Sequence, residues 1–152
     1  MIEQLYSKII CKIVNRETSV YDVVYFYGNH NAVPTLLDAI VETHHKQSPN
    51  RSIVRLDATC FYSQAFLNAL TDGVGITGNC VYIVENIDMV AGREMAQQCV
   101  YSFFDSILES GGQLIVSGKG PVATIEKLAM RICAQIEGGI SFEVKSGREF
   151  EK

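Results

Sequence analysis

Residues 22–40 read DVVYFYGNHNAVPTLLDAI. Val23 to Tyr27 make a short run of β-branched and aromatic residues, the mark of a strand, and Gly28 ends it. The polar turn Asn29-His30-Asn31 follows, and Pro34, well suited to the first turn of a helix, opens a helical stretch expected to reach about His45. An apolar strand, a tight turn and a helix in that order make the repeating unit of a parallel sheet.

The same alternation runs through the rest of the chain. The opening MIEQLYSKIICKIVNRE sets Ile2, Leu5, Ile9 and Ile13 on one stripe, an amphipathic helix that ends near Asn15. Strands are expected near 23–27, 52–56, 80–84, 113–117 and 139–144. Helices are expected near Ser63 to Leu70, from about Arg93 to Glu109 with Met95, Cys99, Phe103 and Ile107 on one face, and from about Ala123 to Ala134. Four of the five β-runs are almost wholly apolar, which fits a parallel sheet covered on both faces. The expected fold is a three-layer α/β domain. Its organisation is an N-terminal amphipathic helix (1–20), an α/β core (21–145) and a C-terminal tail (146–152). The Gly-rich segment DGVGITGN (72–79) reads as a loop.

Composition narrows the function classes. At 152 residues, 47% apolar and 20% charged, the chain is one ordinary globular domain. The net charge of -4 makes any DNA affinity depend on a local basic patch, and Lys8, Lys12 and Arg16 read as the solvated face of the first helix. Cys11, Cys60, Cys80, Cys99 and Cys133 are scattered singly without a CxxC pair, so each reads as a small buried hydrophobe rather than a zinc or redox ligand. The apolar runs fall short of the ~20 residues of a membrane span, and a cytoplasmic protein is expected.

Ligands of open parallel sheets bind beyond the carboxyl ends of the strands. Against the phosphate-loop pattern GxxxxGK[ST], Gly28 and Thr35 match the first glycine and the hydroxyl, while Val33 replaces the second glycine and Pro34 the lysine. The lost glycine would let backbone amides wrap phosphate, and the lost lysine would neutralise its charge. The plain reading is a strand-to-helix turn, and weak nucleotide binding through Thr35 and the helix N-terminus is the alternative. His30 reads as a solvated turn residue rather than a base. His44 and His45 are expected at a helix end, bonding its last carbonyls. After the strand VYIV, a magnesium-dependent ATPase would place two acids. Here stand Glu85 and Asn86, and Asn86 cannot serve as a base.

VENIDMVAGRE (84–94) and FFDSILESGGQLIVSGKGPV (103–122) resemble the corresponding segments of the DnaA family of AAA+ replication initiators, and more closely its Hda-like regulatory members. The resemblance covers roughly residues 21–144. It implies a P-loop NTPase-like α/β fold, an AAA+ core without its helical lid, with a five-stranded parallel sheet ordered 5-1-4-3-2. It further implies that Pro34 stands at the Walker lysine, Asn86 at the second Walker acid, Lys119 and Gly120 at the sensor Asp-Arg, and Ala134-Gln135 at the Ser-Arg of the arginine finger. The clamp-binding peptide of Hda relatives is matched only in its first two positions by Gln4-Leu5-Tyr6-Ser7-Lys8-Ile9.

These readings combine into a non-catalytic interaction protein that regulates replication initiation by binding a replication protein such as DnaA or the loading machinery, with self-association left open. No cofactor, metal or duplex DNA is expected. The alternative is a module that holds ATP or ADP with magnesium without turnover, through the cofactor candidates Gly28, Asn29, His30, Asn31, Thr35 and Glu85.

Overall fold

The computed structural model describes residues 6–15, 22–66, 68 and 80–145. Among them, five strands form one sheet: β1 (Val23–Gly28), β2 (Ser52–Asp57), β3 (Cys80–Glu85), β4 (Gln113–Gly118) and β5 (Ile140–Val144). Every pairing is parallel and the order is β2-β3-β4-β1-β5, the expected order read from the other edge. Helices α1 (Ser7–Val14), α2 (Ala32–Gln47), α3 (Glu94–Ser110) and α4 (Met130–Glu137) are the longer helices among the described residues.

Period-two alternation divides the sheet into two cores. Val24 and Phe26 of β1 join Ile83 and Ile115 under α1 and α2, with Leu36, Leu37 and Ile40 supplied by α2. Tyr25 of β1 faces the other way, with Val84 and Val116, under α3 and α4. Each fully buried aliphatic or aromatic side chain contributes roughly 1.5–3 kcal/mol, so three filled layers are stable where a bare parallel sheet is not. Helix α1 buries Ile10, Ile13 and Val14 and exposes Lys8 and Lys12. It is pinned where the Gln113 side-chain amide donates to Ile13 O at 2.9 Å and the Lys145 N–H donates to Tyr6 Oη at 3.1 Å. Of the segment matched to the clamp peptide, Tyr6 is buried and Ser7 to Ile9 lie in α1, while Gln4 and Leu5 lie outside the described residues.

Several expectations need correction. On α3 the inner face is Ala96, Val100, Phe103, Phe104 and Ile107, whereas Met95 is 70% exposed and Cys99 half-buried. A four-residue spacing overruns the helical turn by about 40° per step, so a stripe anchored at Ile107 has rotated outward by Met95. The expected helix 123–134 is a short turn at Val122–Thr124, then irregular chain, then α4. Lys127 has a positive φ of 62° that no helix accommodates. The Gln97 side chain satisfies the backbone there instead, donating to Lys127 O at 2.9 Å and accepting from the Ala129 N–H at 2.7 Å.

Only Cys80 is buried among the five cysteines, and Cys11 is exposed between Lys8 and Lys12 on the outer side of α1. His44 is fully buried, because it lies four and seven residues beyond the buried Ile40 and Leu37, while His45 is exposed. Residues 64–66 and 68 are helical; 67, 69 and 70 of the helix expected to Leu70, the loop 72–79, Ile2, Leu5, Arg16 and the tail 146–152 lie outside the described residues. No described helix is long and apolar enough to cross a membrane.

Candidate functional site

The turns after β1, β3 and β4 meet at the carboxyl edge of the sheet, where a cleft of about 110 Å³ lies between Gly28, His30, Pro34, Glu85, Asn86 and Lys119. Small-molecule sites usually offer ≈ 300–1,000 Å³. Several of its polar side chains turn to partners around it: Glu85 to Arg55, Asn86 to Asp57 and Lys119 towards Asp88.

Gly28 is required by the sheet. Its φ is +123°, and a Cβ there would overlap the carbonyl oxygen of Val144 in the neighbouring β5. The next residue closes the turn: the Asn29 N–H donates to Val144 O at 2.8 Å, and Asn29 O accepts from the amides of Ala32 at 3.1 Å and Val33 at 3.0 Å. Asn29 Oδ1 accepts from the amides of Asn31 at 3.0 Å and Ala32 at 2.9 Å. Orphan amides at a helix N-terminus are what ordinarily hold phosphate. Here those of Asn31, Ala32 and Val33 are taken, and Pro34 has none to offer. The Thr35 hydroxyl donates back to Asn31 O at 3.1 Å within the helix, and His30 is exposed in the turn.

At the end of β3, Glu85 is held by Arg55 of β2. The guanidinium places Nε 2.9 Å from Glu85 Oε2 and Nη2 3.1 Å from Oε1, and Nη1 lies 2.6 Å from Asp38 Oδ1. Both partners of the bidentate pair are largely shielded, with side chains 29% and 20% exposed. The hydrogen bond to Glu85 is the largest influence raising the Arg55 pKa, so the guanidinium is fixed in its charged form. Asn86 adopts the left-handed conformation (φ 62°, ψ 52°) that asparagine tolerates better than most residues. Its backbone N–H donates to Ser117 Oγ at 3.1 Å and its side chain to Asp57 Oδ2 at 2.8 Å. Burial pushes the Asp57 carboxyl upward, but the hydrogen bonds from the Thr59 N–H, Asn86 and the Thr59 hydroxyl outweigh it and hold the pKa below its ordinary value.

Lys119, at the sensor position implied by the resemblance, extends into solvent with Nζ 3.9 Å from Asp88 Oδ2. Gln135, at the finger position, donates to Tyr101 O at 3.1 Å. Nearby, the buried Tyr25 hydroxyl donates to Gly120 O at 2.6 Å, and burial followed by the Asp88 charge raises its pKa.

Of the six sequence candidates, Gly28, His30 and Glu85 line the cleft, Asn29 and Asn31 form the turn beside it, and Thr35 lies in the first turn of α2. As folded, the amides of Asn31, Ala32 and Val33, the Thr35 hydroxyl and the Glu85 carboxylate each have an internal partner. The same arrangement has a composition cue that sequence reading missed. Arg55 is a lone cation inside the run SIVRLD, two positions before Asp57, which is in register with Glu85. Among the described residues, no group of three or more His, Cys, Asp or Glu is placed to hold a metal.

Known proteins share this frame. A crystal structure of a DNA replication initiation factor superposes with a TM-score of 0.77 at 17% identity, covering 98% of this chain and 48% of that one. AMPPCP-bound DnaA from Aquifex aeolicus gives 0.75 at 17% identity, covering 94% and 46%. Domain III of DnaA from Thermotoga maritima gives 0.76 at 10% identity, covering 94% and 62%. The chain thus spans about half the length of the first two. The family description Bacterial DnaA ATPase domain matches residues 3–143, nearly the whole chain, and together with the five-stranded parallel sheet this places the chain in the bacterial DnaA ATPase-domain family.

Proposed function

We propose that this DnaA-family domain acts in the regulation of replication initiation through protein contact, without binding or hydrolysing nucleotide. The observation that carries the reading is Asn29, whose carboxamide oxygen occupies the amides of Asn31 and Ala32 that would otherwise face a phosphate. Pro34 supplies neither charge nor amide at the following step. Glu85, the remaining carboxylate with a magnesium-site resemblance, already has a bidentate cation in Arg55. Asn86 carries no base and is engaged with Asp57. The proposed partner is a replication protein such as DnaA or the loading machinery, met in the cytoplasm.

The alternative, nucleotide held without turnover, is favoured by the AMPPCP bound to the similar Aquifex DnaA. It requires Asn29 to release the amides of Asn31 and Ala32, whereas the Thr35 oxygen keeps lone pairs for a cation while its hydroxyl donates to Asn31 O.

Two assays test the proposal. Purified protein with magnesium and ATP should release phosphate no faster than buffer, and immobilised protein should retain purified DnaA or a loader subunit. Turnover abolished by Glu85→Gln would overturn the non-catalytic reading. Failure to retain any replication protein would overturn the assigned process.

A further inference from the structure

We propose that the surface between the first turn of α3 and the segment 127–131 docks an acidic amphipathic helix of a partner protein, an inference that rests on the protein-contact reading above. Two grooves of about 570 Å³ and 390 Å³ adjoin there and share Glu94. Met130 is 87% exposed, Met95 70% and Met89 44%, so every described methionine lies at the surface. Methionine is the apolar residue that adapts best to a partner's shape.

Charge selects the partner. The grooves carry Arg93, Lys127 and Arg131 against the single carboxylate Glu94, on a chain whose net charge is -4. The Arg93 guanidinium lies 3.7 Å from the centroid of the Tyr62 ring and that of Arg131 4.6 Å from the centroid of Tyr101. Among the described residues, neither arginine is paired with a carboxylate. Both are held by an aromatic face and remain available to an incoming acid.

The walls are set before binding. Gln97 donates to Val90 O at 3.0 Å and to Lys127 O at 2.9 Å and accepts from the Ala129 N–H at 2.7 Å, and the Gly92 N–H donates to Lys127 O at 2.9 Å. A fixed groove lowers the ordering cost of association. Because these backbone groups are already paired, recognition falls to side chains, which suits a helix laid in a groove better than an added strand. Single-stranded nucleic acid fits less well, since the Tyr62 ring that would stack a base is covered by Arg93.

The test uses the full chain with 13C-methyl methionine and three probes: a synthetic amphipathic helix of leucine and glutamate, its lysine counterpart, and oligothymidylate. The glutamate helix alone should shift the Met95 and Met130 methyls saturably. Arg93→Glu with Arg131→Glu should weaken that binding at least about tenfold, and Lys46→Glu on α2 should leave it unchanged. Raising salt to about half molar should weaken binding of the unaltered protein, a readout that does not depend on any variant folding. No methyl shift, an equal response to the lysine helix, saturation by oligothymidylate, or indifference to both salt and charge reversal overturns the proposal. A parallel ATP titration separates the two readings: no docking with no ATP binding removes this inference alone, whereas ATP binding removes the functional reading beneath it.

Discussion

Asn29 Oδ1 lies 2.9 Å from the amide nitrogen of Ala32 and 3.0 Å from that of Asn31, so a side chain caps the start of α2. Capping of this kind is typically worth about 1 kcal/mol. Asn29→Ala should lower unfolding free energy by roughly that amount, measured by urea denaturation, and should still give no ATP hydrolysis. An unchanged midpoint would show that the cap is not formed in solution.

Gly28 gives a second prediction, because strand contact and phosphate contact demand different things of it. With φ at +123° and Val144 O in the path of a Cβ, Gly28→Ala should force β5 away from β1. A loss above about 3 kcal/mol is expected in chemical unfolding, in the range of strained backbone combined with a core displacement. A nearly neutral substitution would mean that the β1–β5 approach at Val144 is not as described.

Much of this was legible in sequence. The strands fall within a residue or so of their expected positions because apolar β-runs bounded by glycine and polar turns leave little freedom of register. The apolar spacing locates helix α3 but not its rotation at Met95, since spacing alone does not fix phase over four turns. The break at Lys127 was not legible, because it depends on Gln97, thirty residues away, supplying the backbone's hydrogen bonds. At the site, the missing lysine was plain at Pro34, whereas the pairing of Glu85 with Arg55 was not. Two residues from different strands meet there only through the parallel register of β2 and β3.

That pairing makes a third prediction. Arg55 and Glu85 are mostly shielded from water and joined by two charge-assisted hydrogen bonds, so a double-mutant cycle with Arg55→Ala and Glu85→Gln should give a coupling energy of about 1–2 kcal/mol. Magnesium should not raise the melting temperature of the unaltered protein. Coupling near zero would place Glu85 free for another ligand.

Asp57 governs acid behaviour at the same edge. Its carboxyl is held below the ordinary value near 3.8, so its hydrogen bonds to Thr59 and Asn86 stabilise the fold above that value and are lost as pH falls through the depressed folded pKa. The acid limb of the stability curve should therefore fall below about pH 3.8, and Asp57→Asn should flatten that part of it. A curve identical in the variant would remove Asp57 from the acid transition.

The most direct measurement is calorimetric titration of the unaltered protein with ATP and with ADP in magnesium, repeated on Pro34→Lys. Val33 is left in place because it is buried and its loss would open the core. The expected result is no heat of binding with the unaltered protein and only weak binding, no tighter than about millimolar, with the lysine variant, since Asn29 still holds the amides. A Kd of about a micromolar or tighter for the unaltered protein, roughly -8 kcal/mol, would contradict the nucleotide-free reading.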